Sequence, residues 1–252
     1  MDYQFEICAN SVESCLAAQK GGANRVELCA GISEGGTTPS SGEIVTAREL
    51  LDIKLHIIIR PRGGDFLYSE QEIRIMEKDI QMAHQIGVDG VVFGCLTPEG
   101  YIDTSNTKLL IEAAKGLSVT FHRAFDVCIN PYQALEELIA LGVDRILTSG
   151  QQSTALQGLP LIKELVHQAA DRITILPGSG INENNILQIA RESNAREFHF
   201  SARENRESGM IYRSAQVSMS GPGMPSEFTQ SVTTATRVQA TINALKNHSM
   251  GK

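Results

Sequence analysis

The chain has 252 residues, of which 42% are hydrophobic, and it carries a formal net charge of -7. This acidic balance argues against a broad nucleic-acid or anionic-membrane surface, because both partners need a basic face. No apolar run is long enough for a transmembrane helix, and the N-terminus lacks the basic and apolar regions of a signal peptide, so we expect a cytosolic protein.

Short apolar runs alternate with amphipathic stretches along the whole chain. Eight runs have the length and β-branched content of buried parallel strands. They are Gln4–Cys8, Arg25–Cys29, Lys54–Arg60, Gly90–Gly94, Ser118–Arg123, Arg145–Ser149, Ile173–Pro177 and Glu197–Arg203. Since a helical pattern follows nearly every run, the sequence predicts a single eight-stranded β/α (TIM) barrel spanning residues 1–252. An open doubly wound sheet is the alternative, and the lack of a G-x-G-x-x-G motif after the first strand weighs against it.

The sequence also predicts where helices begin and end. A following Pro or Glu marks three N-cap residues, which are Thr38, Ser69 and Asn130. Three glycines before a strand have the pattern of a helix C′ position, and they are Gly22, Gly87 and Gly142. These repeated boundaries support a repeated β–α unit and carry no chemistry.

One segment breaks this rhythm. Residues 204–227 are rich in Gly, Ser and Met and have no periodicity. A loop of this length is usually functional or disordered. Because it follows the last strand, we expect a lid or a subunit-contact segment, with disorder as the alternative, before a C-terminal helix.

The first two strands carry the same pair, a Glu two residues before a Cys, in "FEIC" and "VELC". Side chains alternate along a strand, so Glu6, Cys8, Glu27 and Cys29 are predicted to point into the barrel. Two inward thiols could meet, which makes Cys8 and Cys29 candidate metal or redox residues. Each Glu could instead be a structural salt-bridge partner. The odd count of 5 cysteines argues against a disulfide framework.

Further ionisable groups follow the third, fifth and eighth strands. They are Arg60, Arg62 and Asp65 in "RPRGGDF", His122 and Asp126 in "TFHRAFD", and His199, Ser201 and Arg203 in "EFHFSAR". In a β/α barrel these strand ends meet at the catalytic face. Such a cluster can tune pKa values and hold an anion. We assign candidate catalytic roles to Glu27, Arg60, His122 and Asp126, with proton exchange between Glu27 and His122, and substrate-binding roles to Glu6, Arg62, Asp65 and His199.

The late turns predict an anion site. "TSGQ" places Ser149 after the sixth strand, and "PGSGI" places Gly178 and Gly180 after the seventh. Barrel phosphate sites often use glycine-rich turns after the seventh and eighth strands, where backbone N–H groups converge. Together with Ser201 and Arg203, these residues could hold a phosphate or a carboxylate.

The stretches "FEICANSVES", "GGANRVELCAGISEGGTTPS", "RPRGGDF", "TFHRAFD" and "EFHFSAR" resemble the CutC family of copper homeostasis proteins. This resemblance implies a cytosolic β/α barrel that forms a homodimer or homotetramer. It also implies copper as a ligand, because Cys8 and Cys29 match cysteines proposed to bind copper in some members. It implies no firm enzymatic activity.

Three hypotheses therefore remain at this level. The chain could bind Cu(I) through Cys8 and Cys29. It could be a lyase, isomerase or hydrolase acting on a small anionic, phosphorylated or carboxylated metabolite. It could also be a scaffold with a relic site.

Overall fold

The computed structural model describes residues 3–214, 216–217 and 226–247. Its centre is a nearly closed barrel of parallel strands, in the order β7-β6-β5-β4-β3-β2-β1-β8. The strands are β1 (Gln4–Ala9), β2 (Arg25–Leu28), β3 (Lys54–Ile58), β4 (Gly90–Phe93), β5 (Ser118–Phe121), β6 (Arg145–Thr148), β7 (Thr174–Pro177) and β8 (Glu197–Phe200). The predicted β/α barrel is thus confirmed.

Helices pack around this barrel. They are α1 (Val12–Lys20), α2 (Ser41–Leu50), α3 (Glu70–Ile86), α4 (Thr104–Ala113), α5 (Pro131–Leu141), α6 (Leu159–Ala169), α7 (Ile186–Ser193) and α8 (Ala235–Lys246). Outward strand residues such as Phe5 and Ile7 are fully buried against the helices. The main hydrophobic core therefore lies between the sheet and the helical layer, and the barrel interior mixes polar side chains with apolar ones such as Ile58 and Leu147.

Strands β7 and β8 lie side by side in the barrel but do not pair through a hydrogen-bonded ladder within the described chain. Pro177 ends β7 and has no N–H to donate, a restriction that confines proline to unpaired strand edges. The next residue is Gly178, where a Cβ would lie 2.5 Å from Leu147 and 3.3 Å from the His199 ring. Close packing at this seam therefore requires glycine.

The predicted caps at Ser69 and Asn130 are confirmed, because both side chains accept hydrogen bonds from the first turn of their helices. The predicted cap at Thr38 is wrong. Ser40 caps α2 instead, in a capping box with Glu43. The Thr38 hydroxyl is engaged elsewhere, since it accepts a hydrogen bond from the Arg60 backbone N–H.

The chain after β8 is more regular than predicted. Strand eight stops at Phe200 because Ala202 adopts a left-handed φ of 46°. The next residues, predicted as the start of a long loop, form β9 (Arg203–Glu207), which pairs antiparallel with β10 (Thr229–Thr233). Residues 215 and 218–225 of the predicted loop lie outside the described residues. Within the described part of the chain, no helix is both long enough and apolar enough to cross a membrane.

Candidate functional site

A cavity of about 450 Å³ opens at the C-terminal mouth of the barrel. Its walls bring together predicted site residues from five different β–α units, in or just after their strands: Cys8, Glu27, Arg60, His122 and His199. Cys29, Gly180, Ser201 and Arg203 also line it. This volume lies within the range of small-molecule sites.

The two inward cysteines meet at the floor of this cavity. The sulfur atoms of Cys8 and Cys29 lie 3.9 Å apart. In the strand register, Cys8 is level with Glu27 and Glu6 is level with Arg25. The twin Glu-x-Cys pairs are therefore staggered by one layer, as the shear of a barrel requires.

Glu6 lies in the layer below the cavity and does not line it. Its carboxylate forms a salt bridge with Arg25 and accepts a 2.8 Å hydrogen bond from His199 Nδ1. Burial alone would raise the pKa of Glu6, but Arg25 and His199 outweigh it and hold that pKa well below its usual range. Glu6 is therefore a buried anion that organises its neighbours, which differs from the substrate contact predicted for it.

His199 links this lower layer to the cavity. Because Nδ1 is held by Glu6, Nε2 faces Glu27, whose Oε2 lies 3.5 Å away. Burial opposes protonation of the ring, but interactions with Cys8, Glu6 and Glu27 raise the pKa of His199 to about 10. His199 is therefore an imidazolium at neutral pH.

Glu27 is the acidic group of the cavity floor. Burial, together with the charges of Cys8 and Glu6, raises its pKa to about 8 although His199 opposes the change. The proton partner of Glu27 is thus His199. The predicted partner, His122, has a pKa lowered to about 3 by burial and by Arg60, and its Nδ1 accepts a hydrogen bond from the Ala124 N–H.

The two thiols are electrostatically unequal. A hydrogen bond from Cys29, reinforced by His199 and Arg203, holds the pKa of Cys8 well below its usual range despite burial. The same hydrogen bond, with burial, raises the pKa of Cys29 well above its usual range. Arg203 reaches Cys8 from β9, and its Nη2 lies 3.2 Å from the sulfur. Of the pair, Cys8 is therefore the thiol that loses its proton more readily, and Cys29 is the one that retains it.

One group of potential metal-binding atoms stands out among the described residues. One donor atom each from Cys8, Glu27 and His199 lies within 4.8 Å of the other two. The sulfur of Cys29 adjoins this group through Cys8. A cation could therefore meet the Cys8 sulfur, a Glu27 oxygen and, once the His199 ring has lost a proton, its imidazole nitrogen, with the Cys29 sulfur next to Cys8.

Arg60 is more constrained than predicted. Its guanidinium donates to the carbonyls of Glu34, Gly36 and Gly64 and lies over the Phe66 ring, 5.0 Å from the centroid. These contacts hold the loops after β2 and β3 around the cavity. Arg60 thus shapes the wall and adds positive charge to it.

Besides Glu6, five predicted residues lie outside the cavity lining, and they are Arg62, Asp65, Asp126, Ser149 and Gly178, whose N–H donates to the Thr148 carbonyl. Arg62 pairs with Asp65 and Glu72 on the outer surface of the barrel mouth. Asp126 accepts hydrogen bonds from Thr148 and from the Ser149 backbone, which attaches the loop after β5 to β6. These contacts are structural. The inward–outward alternation of strand residues could not exclude these residues from the cavity, because they follow the strand ends and do not lie in the strands.

Arg237, in α8, lines the cavity although sequence reasoning missed it. Its Nη1 donates to the Arg203 carbonyl at 2.7 Å, and its Nη2 lies 3.4 Å from the Glu183 carboxylate. No motif marks this residue. Only the fold of the C-terminal helix against the mouth brings it there.

The fold and the cavity define a β/α-barrel protein with paired cysteines, a buried Glu–His pair and arginines at its C-terminal mouth. The model of the CutC family matches residues 3–204. A CutC family protein of Bacteroides fragilis is 63% identical over 245 residues, which cover 97% of this chain and 98% of that protein. The copper homeostasis protein cutC homolog of Homo sapiens is 49% identical over 243 residues, covering 96% of this chain and 89% of that protein. The chain belongs to the CutC family.

A solved structure agrees with this assignment. CutC from Streptococcus agalactiae superposes with a TM-score of 0.76 at 37% sequence identity, covering 79% of this chain and 98% of that one. The family and the barrel inferred from the sequence are therefore both confirmed.

Proposed function

We propose that this chain is a cytosolic copper homeostasis protein that binds Cu(I) through the thiolates of Cys8 and Cys29. The observation that carries the proposal is the 3.9 Å separation of the two sulfur atoms at the cavity floor. The similarity to the copper homeostasis protein cutC homolog of Homo sapiens supports it. A homodimer or homotetramer remains part of the proposal and can be measured by light scattering.

The sulfur separation suits one soft ion. Two thiolates bound at about 2.3 Å lie about 3.8 Å apart at a tetrahedral angle and about 4.6 Å apart when collinear. The observed distance of 3.9 Å is within this range. Thiolates are also the protein ligands that favour Cu(I) over harder cations.

The charges around the thiols support the same role. Binding through both sulfurs needs the Cys29 proton to leave, because the thiolate is the ligand form. Two thiolates and one Cu(I) carry a net negative charge. The His199 imidazolium and the Arg203 guanidinium lie beside Cys8 and would balance it.

A Cu(I) titration against a competing chelator tests this proposal under anaerobic conditions. We expect the Cys8→Ser, Cys29→Ser double variant to lose at least a thousandfold in affinity, roughly 4 kcal/mol. Cys128→Ser is the matched control, because Cys128 is buried outside the cavity lining. Equal affinities for the double variant and the wild type would refute the proposal.

A second candidate function is acid–base catalysis on a small anionic metabolite. Its specific support is the Glu27–His199 pair, 3.5 Å apart on the wall of a cavity large enough for a metabolite. With a pKa of about 8, Glu27 could give or take a proton near neutral pH. The class would be a lyase, isomerase or hydrolase.

Proton exchange tests this second candidate without knowledge of the product. Triose, tetrose and pentose phosphates are incubated in deuterium oxide and followed by proton NMR. Enzyme-dependent deuterium incorporation that disappears in Glu27→Gln supports catalysis. Two results count against catalysis. One is incorporation that persists in Glu27→Gln, and the other is a lack of incorporation into all of the sugar phosphates.

A further inference from the structure

The turn after β7 has an unusual backbone. Ser179 and Gly180 both adopt left-handed conformations, with φ of 77° and 72°. For serine this conformation costs free energy, and such strain in proteins clusters at ligand sites. The Ser179 hydroxyl donates to the Ser153 carbonyl, which holds the turn against the loop after β6.

The carbonyl groups of this turn accept hydrogen bonds, whereas its N–H groups are free among the described residues. The Ser179 carbonyl accepts from Ala155, and the Gly180 carbonyl accepts from the side-chain amides of Asn182 and Asn185. By contrast, the N–H groups of Ser179, Gly180 and Ile181 donate to no acceptor among the described residues. The three residues line the cavity. The turn is thus held by its acceptors and leaves its donors available.

Cationic side chains stand beside these donors. Arg203 lines the same cavity, and its Nε has no hydrogen-bond partner in the described part of the chain. Arg237 ties Arg203 to the β7 side, because it contacts both the Arg203 carbonyl and Glu183. The cavity lining therefore combines free amides with fixed positive charge.

Two further donors at the cavity wall lack acceptors. His122 and Arg60 are each 4% exposed, and His122 Nε2 and Arg60 Nε have no partner among the described residues. Because His122 Nδ1 accepts from Ala124, its Nε2 carries the proton when the ring is neutral. An unpaired buried donor costs free energy, so these two groups favour an acceptor in the cavity.

We propose that the turn Ser179–Ile181 and Arg203 form a subsite for the phosphate group of a small phosphate monoester. A carboxylate accepts about four hydrogen bonds, all near its own plane, whereas the oxygens of a phosphate monoester diverge and suit amides and a guanidinium that come from different elements. The rest of the ligand would extend through the cavity toward Glu27. Small phosphate monoesters would be the substrate class of the second candidate function. Their turnover rests on that proposed function, whereas their binding at the subsite does not.

Amide NMR spectra of the full chain, titrated with inorganic phosphate and with glycerol 3-phosphate, test the subsite. We expect saturable shifts of the Ser179, Gly180 and Ile181 amide signals, with glycerol 3-phosphate binding more tightly than phosphate. Shifts that never saturate, or that are confined to surface lysines and arginines, would overturn the subsite. Equal shifts with acetate would overturn its assignment to phosphate.

Two variants sharpen this test. Arg203→Gln should weaken glycerol 3-phosphate binding at least tenfold, whereas Arg206→Gln should not, since Arg206 lies on the same strand but pairs with exposed Glu13. If Arg203→Gln does not fold, the wild-type amide shifts alone decide the outcome.

This experiment separates the subsite from both proposed functions. In the Cys8→Ser, Cys29→Ser variant, saturable shifts of the Ser179, Gly180 and Ile181 amide signals should persist even when Cu(I) binding is lost, although the affinity for glycerol 3-phosphate can change because Cys8 contacts Arg203. If glycerol 3-phosphate binds but no sugar phosphate exchanges protons, catalysis fails while the subsite stands. If the amides do not respond, the subsite fails whatever the copper titration gives.

Discussion

The Nδ1 atom of His199 lies 2.8 Å from the Oε1 atom of Glu6, one layer below the cavity floor. This contact joins β8 to β1, whose residues Glu6 and His199 are neighbours in the strand register. It fixes the ring so that Nε2 faces Glu27, and it stabilises the positive charge beside Cys8. Barrel closure thus sets the protonation of the whole site.

The charge of Glu6 should support the protonated form of His199. Glu6→Gln keeps the shape of the side chain but removes the anion, so the pKa of His199 should fall from about 10 by about 1–3. NMR titration of the histidine ring protons measures this value. Glu13→Gln, an exposed variant, is the control, and an unchanged His199 titration in Glu6→Gln would show that the contact carries no charge.

Removal of Arg25 should destabilise the fold. Its side chain and that of Glu6 are 4% and 0% exposed, so Arg25→Met leaves a buried carboxylate without its main partner. Loss of one member of a buried pair costs about 3–5 kcal/mol. Urea unfolding measures the change, and Arg172→Met, which breaks an exposed pair with Glu136, should barely alter the midpoint. A small effect of Arg25→Met would mean that His199 alone can hold Glu6.

Cys8 should be the one thiolate of the chain at neutral pH. Its pKa is held well below the usual range, whereas burial or the Cys8 contact raises the pKa of the other cysteines, which are Cys15, Cys29, Cys95 and Cys128. Since a lowered pKa keeps the thiolate at lower pH, its ultraviolet absorbance should persist well below about pH 8.5 and vanish in Cys8→Ser. Absorbance that survives in Cys8→Ser would assign the thiolate to another cysteine.

His122 should destabilise the protein in acid. Its pKa is lowered to about 3, so below about pH 6.5 the unfolded chain binds a proton that the folded chain does not. Stability therefore falls as the pH falls, by roughly 2 kcal/mol between about pH 6.5 and 4.5 for this one group. Urea unfolding at both pH values should show a smaller loss for His122→Asn. His84→Asn, at an exposed position, should behave like the wild type, and equal losses in both variants would contradict a neutral, buried His122.

Strand phase was sufficient to place the cavity floor. Alternation within "FEIC" and "VELC" put Glu6, Cys8, Glu27 and Cys29 inside the barrel, and the structure has them there. Such short strands have one register that buries their apolar face, so the inward set follows from the sequence.

The partners of these residues could not be read from the same pattern. Glu27 meets His199 rather than His122 because β8 closes the barrel beside β1, a relationship set by shear and not by local sequence. Asp126 and Arg62 lie in loops after strand ends, where no alternation fixes the side-chain direction. For that reason their predicted roles at the cavity have no support in the geometry.

X-ray absorption at the copper edge of the Cu(I)-loaded chain tests whether Cys8 and Cys29 hold the ion. With one Cu(I) per chain, we expect a coordination shell of two sulfur atoms supplied by Cys8 and Cys29, and the loss of both in the Cys8→Ser, Cys29→Ser variant. A shell dominated by nitrogen or oxygen, or a sulfur shell that is unchanged in that variant, would contradict it.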